Sequence, residues 1–270
     1  MLPPEPGRFG VVGLGRMAQA LLFPLLEARC LEVSEVRAVV GSAPSAQALS
    51  GRSGLEVGTD ATAAWRCPTV LLAVKPQQLD AVAAQAPPPD PGAPPLLISV
   101  LAGVSLARLE RLFPGRRLVR AVPNTPSLVG AGLTALAFGS GVDPEAREWV
   151  QALFARVGEV MELPESQLDA FLALTSSGPA FVALVAEAMA DGAVAAGLPR
   201  ALASHLAHRT LAGTAELLHQ RELHPGQLKD MVSSPGGTTI AGLRCLESGA
   251  VRSALIEAVV AAAERSRELA

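Results

Sequence analysis

A short apolar run followed at once by a glycine-rich turn stands near the start of the chain. The run is Phe9-Gly10-Val11-Val12, and the turn Gly13-Leu14-Gly15-Arg16-Met17-Ala18 has the spacing Gly-x-Gly-x-x-Ala. In a strand–turn–helix unit, the first glycine permits the tight turn, the second lets the backbone approach a pyrophosphate, and the alanine allows close helix packing. The spacing alone is a weak signal, but its flanks favour a dinucleotide-binding unit over an incidental glycine turn.

The first 165 residues alternate short apolar runs with Ala- and Leu-rich stretches, which is typical of βαβ units in a parallel sheet. A Pro-rich stretch, residues 86–95, excludes both helix and ladder pairing, so we interpret it as a stiff surface connector rather than a PxxP ligand. We therefore predict an α/β Rossmann-like domain, doubly wound and mostly parallel, over residues 1–165. Its predicted strands are Phe9–Val12, Val36–Val40, Thr69–Ala73, Leu96–Val100, Leu118–Val122 and Leu133–Phe138.

From about Ser166 the strand signal stops and long apolar helical stretches follow. They are Pro179–Ala196, Arg200–His219 and Val251–Leu269, and each is apolar over more than one face. Helices that are hydrophobic most of the way round must be buried, and so short a segment cannot easily bury them alone. We predict an all-α dimerisation domain over residues 166–270.

Charge and cysteine content restrict the class of protein. The 22 basic and 25 acidic residues give a net charge of −3, which favours a small-molecule partner over a nucleic acid or a membrane. The three cysteines are isolated, which argues against a disulfide framework. Because the start lacks the pattern of a signal peptide and no apolar run of about 18 residues is seen, we predict a cytoplasmic protein.

A metal site is not predicted. His205 and His208 lie three residues apart on a helical stretch, which is a metal-like spacing. No further ligands flank them, so we interpret the pair as part of a helix face.

The end of the second predicted strand bears on the choice of cofactor. An acidic residue at this point accepts the ribose 2′-hydroxyl of NAD, but here the chain continues through Ser42 and Ser45 without a carboxylate. The two hydroxyls could donate hydrogen bonds to a 2′-phosphate. The pattern favours NADPH, with NADH possible.

Three loops follow strands at the edge where doubly wound sheets bind ligands. Val74-Lys75-Pro76 follows the third strand, and it is either a loop touching the nicotinamide half of a cofactor or a solvated lysine before a turn proline. Residues 99–105 and 123–126 close the fourth and fifth strands in the same way. Together the three loops predict a cleft.

A second glycine-rich turn lies near the C-terminus. Pro235-Gly236-Gly237-Thr238-Thr239 stands at the start of a predicted helix, where backbone N–H groups lack partners. Such a turn suits a carboxylate ligand. A helix cap without a ligand is the alternative that the residues leave open.

This block resembles the signature of the pyrroline-5-carboxylate reductases. Further stretches that resemble the family, in the same order, are Gly13–Ala18, Ala73–Pro76, Ala102–Ser105, Arg120–Pro126 and Ser177–Phe181. The resemblance implies a Rossmann domain, a helical domain that forms an intertwined homodimer, and in some members a decamer. It implies an NAD(P)H-dependent oxidoreductase that transfers hydride to the imine carbon of 1-pyrroline-5-carboxylate, which is C5 in proline numbering, giving L-proline in the last step of proline biosynthesis.

The resemblance also assigns roles to residues. Backbone N–H groups of Gly236, Gly237 and Thr238, with the Ser234 hydroxyl, would hold the substrate carboxylate, and Thr239 would accept a hydrogen bond from the ring nitrogen as the catalytic residue. Glu165 and Glu222 fall where relatives place carboxylates near the substrate, although each also reads as a solvated surface acid. The implied cofactor contacts are Gly13, Leu14, Gly15, Arg16, Met17, Ser42, Asp60, Ala73, Val74, Lys75, Pro76, Ala102 and Asn124.

The chain departs from the family pattern at three positions. Ser176 replaces a glycine and Phe181 a tyrosine, and Asp60 stands where many relatives have an asparagine near the adenosine ribose. A carboxylate there would weaken NADPH relative to NADH. Asp60 and the two serines after the second strand therefore favour opposite cofactors.

Two other functions compete with this interpretation. One is a reductase of the same fold acting on another cyclic imine or a keto acid. The other is a non-enzymatic nicotinamide-sensing protein, in which the substrate turn would be degraded. Because Ser234 to Thr239 is intact, the sequence favours the enzyme.

Overall fold

The computed structural model describes residues 8–269 and divides the chain into two compact units. The first comprises the chain up to Ser176 together with the segment from Ala262 onward, and the second runs from Ser177 to Ala261. The predicted boundary between residues 165 and 166 stays a prediction. In the structure the first unit extends eleven residues further along the chain, to Ser176.

An eight-stranded sheet forms the centre of the first unit. Its strands are β1 (Phe9–Val12), β2 (Val36–Val39), β3 (Glu56–Gly58), β4 (Thr69–Leu72), β5 (Leu96–Ser99), β6 (Arg117–Val122), β7 (Gly132–Phe138) and β8 (Gly158–Glu162). The order is β3-β2-β1-β4-β5-β6-β7-β8, parallel throughout except for the antiparallel pair of β6 and β7. The predicted α/β Rossmann-like class is confirmed.

The prediction missed two strands, β3 and β8. Both are partly exposed along their length, and β3 has only three residues. Edge strands of this kind lack the apolar run that marks the buried strands of a parallel sheet.

Helices cover both faces of the sheet. They are α1 (Arg16–Glu27), α2 (Ala43–Ser53), α3 (Thr62–Trp65), α4 (Leu79–Ala83), α5 (Leu106–Leu112), α6 (Pro144–Phe154) and α7 (Leu168–Thr175). Val11 and Val12, neighbours on β1, belong to different apolar clusters, because successive strand residues point to opposite faces. Trp149 lies in the cluster of Val11 and Trp65 in that of Val12, and both are almost fully buried.

The second unit is helical, as predicted. It contains α8 (Gly178–Ala195), α9 (Arg200–Gln220), α10 (Pro225–Met231), α11 (Thr238–Ser248) and the first part of α12 (Val251–Glu268). In α8 and α9 only small alanines are buried, and in α10 and α11 no residue is. Large apolar side chains exposed in this unit include Val182, Leu184, Met189, Leu202, Leu206, Ile240, Leu246, Leu255, Ile256 and Val260.

One stretch, Glu165–Ala195, is long and apolar enough to cross a membrane by length and composition alone. Its mean hydropathy over 18 residues is 1.6, and 11% of that window is buried. The stretch consists of a short 3-10 turn, α7 and α8, and the chain leaves helical structure at Ser176 and Ser177 between the two α-helices. Polar residues, among them Ser176, Ser177 and Glu187, interrupt the stretch, so it contains no continuous apolar run of 18 residues.

Candidate active site

The first glycine-rich turn follows β1, the strand that lies between β2 and β4 in the sheet. The strand order reverses at this point. Gly13 adopts φ +96°, and a Cβ there would lie 2.8 Å from the carbonyl carbon and oxygen of Ala73. The N–H groups of Gly13 and Leu14 both donate to the carbonyl oxygen of Val39, at 3.0 and 3.1 Å. Only glycine fits this turn, which joins the ends of β1, β2 and β4.

Open space lies beside Gly15, where α1 begins. A Cβ on Gly15 would have no neighbour within 4 Å. No side chain caps α1, and the amides of Arg16, Met17 and Ala18 precede the first bond of the helix, from the Gln19 N–H to the Gly15 carbonyl at 2.9 Å. Free amides at the positive end of a helix bind phosphate, so these residues fit the pyrophosphate of a dinucleotide.

The two serines after β2 lie together at the start of α2. The Ser42 hydroxyl donates to the Ser45 hydroxyl at 2.9 Å, and Ser42 Oγ accepts the Ser45 N–H at 3.4 Å. Both residues are exposed. The position suits a ribose phosphate, and their assignment to the cofactor stays a prediction.

Asp60 has a local structural role at the start of α3. Its Oδ1 accepts hydrogen bonds from the Thr62 hydroxyl at 2.7 Å and the Thr62 N–H at 2.9 Å, and these bonds lower the pKa of the Asp60 carboxyl. The carboxylate is therefore ionised at neutral pH. Asp60 is exposed, so its charge is available to repel a phosphate.

The loop after β4 contacts the glycine-rich turn directly. The Ala73 N–H donates to the Val12 carbonyl at 2.9 Å. Val74 Cγ1 lies 2.8 Å from the point that a Cβ on Gly13 would occupy. Lys75 is exposed, and its N–H lies 3.4 Å from the Gln78 side-chain oxygen as a 3-10 turn begins at Pro76. Of the two interpretations of this loop, its place beside Gly13 favours the cofactor role.

A small cavity of about 90 Å³ lies at the carboxyl ends of β5 and β6. Apart from one serine its side chains are apolar, and it contains Met17 from the glycine-rich turn. Such a lining accepts one flat face of an aromatic ring. The residues around the cavity are Met17, Val100, Leu101, Ala102, Ala121, Val122, Pro123, Leu172 and Ser176.

Two hydrogen bonds hold the end of α7 against the loop after β6. The Asn124 amide donates to the Thr175 carbonyl at 3.0 Å, and the Ser176 hydroxyl donates to the Pro123 carbonyl at 3.0 Å. Asn124 is buried, and its Oδ1 also accepts the Leu133 N–H at 2.8 Å. Asn124 therefore shapes the cavity wall, and the departure at Ser176 adds a hydroxyl to the same wall.

The second glycine-rich turn precedes α11 in the helical unit. Gly236 adopts φ +66°, and the Gly237 N–H donates to the Ser234 carbonyl at 3.0 Å. No side chain caps α11, so the amides of Thr238 and Thr239 in its first turn have no helical partner. The arrangement presents adjacent donors to an anionic group.

A cavity of about 590 Å³ lies beside this turn. It carries two cationic and two anionic side chains, and a hydrogen bond from Arg252 lowers the pKa of Glu247, one of the anions. The buried hydroxyl of Ser233, also on its wall, has no hydrogen-bond partner among the described residues. The lining is Lys229, Asp230, Ser233, Gly236, Gly237, Ile240, Ala241, Leu243, Arg244 and Glu247.

The two predicted substrate carboxylates lie in different units. Glu165 Oε1 accepts the Leu106 N–H at 2.7 Å and lies 3.1 Å from Nη1 of Arg120. Glu222 is exposed beyond the end of α9 at φ +49°, in a conformation unusual for a residue other than glycine. Their roles toward the substrate stay predictions, and Glu165 already binds two groups of its own unit.

Sequence reasoning missed the ionic group around Arg120. This arginine belongs to the Arg120–Pro126 stretch noted above, yet nothing in its spacing indicated its partners. Its side chain is 4% exposed and lies between Glu165 and Asp169. Among residues 8–269, no group of three or more His, Cys, Asp or Glu side chains is arranged to hold a metal ion.

Two family models match this chain, one in each part. Residues 165–269 match the family model described as pyrroline-5-carboxylate reductase dimerisation. Residues 8–103 match the model described as NADP oxidoreductase, coenzyme F420-dependent. The first match spans the helices whose apolar side chains are exposed in the protomer.

Full-length relatives and solved structures agree with these matches. The pyrroline-5-carboxylate reductase of Synechocystis sp. is 48% identical over 266 residues, covering 97% of this chain and 98% of the relative. That of Thermus thermophilus is 44% identical over 264 residues, with the same coverage. The crystal structure of Plasmodium falciparum pyrroline carboxylate reductase with NADP bound has a TM-score of 0.90 and 29% identity, covering 99% of both chains.

Proposed function

The chain belongs to the pyrroline-5-carboxylate reductase family and is an oxidoreductase that forms proline with a nicotinamide cofactor, and on this premise we propose how its residues divide the work. The turn from Ser234 to Thr239 carries the proposal, because its unpaired amides and hydroxyls match a small anionic imine. We propose NADPH as the preferred cofactor. The protein forms homo-oligomers, and we propose a dimer as the basic assembly.

The cofactor is assigned to the first unit. Amides at the start of α1 would bind the pyrophosphate, the serines after β2 would bind the 2′-phosphate, and the cavity beside Met17 would receive the nicotinamide ring. Ala73 to Pro76 and Ala102 form the neighbouring loops. When bound, the cofactor would supply the hydride that reduces the imine carbon of the ring, the atom that becomes C5 of proline.

The substrate is assigned to the helical unit. The amides of Gly236 and Thr238 would hold the carboxylate, assisted by the positive end of α11. The Gly237 N–H, which donates to the Ser234 carbonyl at 3.0 Å, would share its hydrogen between that carbonyl and the carboxylate. The Ser234 hydroxyl would donate to the same group. These contacts fix the ring by one end and leave its imine carbon free.

Thr239 is assigned to the ring nitrogen. The imine is most electrophilic when protonated, and a threonine hydroxyl can accept a hydrogen bond from the iminium N–H. No strong protein acid is then required. The residues of the turn accelerate the reaction chiefly by holding the ring in a reactive orientation.

A direct assay tests the function. Purified protein mixed with pyrroline-5-carboxylate is expected to oxidise NADPH, followed by the loss of absorbance of the reduced nucleotide, and to release proline. Piperideine carboxylate, with a larger ring, is expected to react more slowly. Absence of turnover with both NADPH and NADH would contradict the proposal.

Thr239→Val is expected to lower kcat/KM for pyrroline-5-carboxylate by more than about tenfold, because a hydrogen bond to a charged group contributes roughly 1.5–3 kcal/mol. The dissociation constant for NADPH should stay unchanged. Steady-state rates and a nucleotide fluorescence titration measure the two quantities. Thr214→Val, at an exposed position on α9, is the matched control, and a wild-type rate in Thr239→Val would remove this residue from the site.

Asp60→Asn is expected to raise kcat/KM for NADPH relative to NADH by about two- to fivefold, because it removes a charge that repels the 2′-phosphate. The amide oxygen can still accept the bonds from Thr62. Asp90→Asn is the control, since Asp90 makes a similar exposed turn with the Gly92 N–H at 2.9 Å, before β5. An unchanged ratio of the two rates would show that the Asp60 charge does not reach the cofactor.

Assembly and location complete the proposal. The exposed apolar side chains of α8, α9, α11 and α12 favour a helical dimer interface, and a decamer built from five dimers is the larger form to test by light scattering. Three free cysteines without a disulfide suit a reducing compartment, and we propose the cytoplasm.

A further inference from the structure

The loop after β5 is packed against the end of the chain. This loop, residues 100–105, contributes Leu101 and Ala102 to the small cavity. Its next residue, Gly103, adopts φ +72°, and a Cβ there would lie 3.0 Å from the Ser266 carbonyl oxygen and 3.0 Å from Leu269 Cβ. The loop and the C-terminal turn, which we define as residues 263–269, therefore meet without room for a methyl group.

A network of hydrogen bonds and ion pairs begins at the C-terminal turn. The Ser266 hydroxyl, in a residue 3% exposed, donates to Asp169 Oδ1 at 2.7 Å. The same oxygen lies 3.5 Å from Nη2 of Arg120, whose Nη1 lies 3.1 Å from Glu165 Oε1. The buried guanidinium is thus held between two carboxylates, one of which is itself held by the C-terminal turn.

The network ends at Leu106, immediately after the loop. Glu165 Oε1 accepts the Leu106 N–H at 2.7 Å, where α5 begins. The loop is consequently fixed at Gly103 by direct packing and at Leu106 by a carboxylate. A buried charge pair is sensitive to the loss of any partner, because the remaining charge is left without compensation.

We propose that the C-terminal turn is a positioning element for the nicotinamide, acting through Ser266 and Leu269 on the loop that lines the small cavity. The inference rests on the proposed function, which assigns that cavity to the nicotinamide ring. Neither residue lines the cavity. Both affect cofactor affinity by holding the wall of the small cavity in place. The turn from Ser234 to Thr239, which is assigned to the substrate, belongs to the other unit.

Two variants remove the two contacts separately. Ser266→Ala deletes the bond to Asp169, and deletion of residues 269–270 removes the packing of Leu269 on Gly103 while the Ser266 carbonyl contact remains. Ser253→Ala changes an exposed serine of the same helix and is the matched control. Each variant is made in the full oligomeric protein, and the dissociation constant for NADPH is measured by titration of its fluorescence.

Both variants are expected to raise the dissociation constant for NADPH by about fivefold or more. Ser266→Ala loses a hydrogen bond to a charged group, and the deletion loses the packing of Leu269 on the loop. KM for NADPH should rise with it, and KM for pyrroline-5-carboxylate should stay within about twofold, a split that a general loss of structure would not give. If Ser266→Ala fails to fold, the deletion decides.

Dissociation constants within about twofold of the wild type in the folded variants would overturn the inference. So would an equal rise in both KM values. A wild type that binds NADPH but does not turn over pyrroline-5-carboxylate would contradict the proposed function alone, since the binding titration still tests the turn.

Discussion

Gly237→Ala is expected to lower kcat/KM for pyrroline-5-carboxylate by about 100-fold. A Cβ at this position would collide with the Ser234 hydroxyl oxygen and would lie 3.1 Å from the Ser234 carbonyl oxygen. The hydroxyl must rotate away and the turn must shift. Two hydrogen bonds to the substrate carboxylate are then weakened together, each worth roughly 1.5–3 kcal/mol.

A second glycine of α11 supplies the control. A Cβ on Gly242 would have no neighbour within 4 Å, so Gly242→Ala should leave the rate and the NADPH affinity unchanged. Steady-state kinetics with both variants, alongside NADPH titration, make the comparison. If Gly237→Ala and Gly242→Ala behaved alike, the turn would not be the substrate site.

Gly13→Ala and Gly15→Ala are expected to abolish tight NADPH binding for different reasons. At Gly13, φ is +96° and the added Cβ would lie 2.8 Å from backbone atoms of Ala73, so we expect a loss of about 2–4 kcal/mol in the free energy of unfolding as well. At Gly15 the space is open in the free protein. An alanine there should leave stability unchanged and weaken NADPH binding at least tenfold, by filling the place of the pyrophosphate.

Thermal unfolding and NADPH titration separate these two effects. Gly15→Ala tests cofactor binding separately from stability, because the backbone φ of −78° at this position suits any residue. Unchanged NADPH affinity in Gly15→Ala would exclude the start of α1 as the pyrophosphate site. A Gly13→Ala protein as stable as the wild type would mean that the turn can relax.

The sequence predicted those features that depend on neighbouring residues. Gly13 to Ala18 and Pro235 to Thr239 each depend on residues within one turn, so their spacing predicts the conformation of the turn and the class of ligand that it suits. Buried parallel strands such as β1 and β5 can be recognised in the sequence by their continuous apolar runs.

Features that depend on distant residues escaped prediction. Ser266 and Asp169 are separated by 97 positions, and a serine near a chain end carries no signal of a buried bond. Glu165 looks like a surface acid until Arg120 and Leu106 are placed beside it. The antiparallel direction of β7 relative to β6 could not be predicted from its own residues either, because the same apolar run fits a parallel or an antiparallel strand.

The positions of Trp65 and Trp149, one on each face of the sheet, have a practical consequence for spectroscopy. The chain contains two tryptophans and no tyrosine, and both tryptophans lie in the first unit. Tryptophan emission therefore reports unfolding of the first unit, while far-ultraviolet circular dichroism is dominated by the helices of both units. Comparing the two signals during heating shows whether the halves unfold in one step or two.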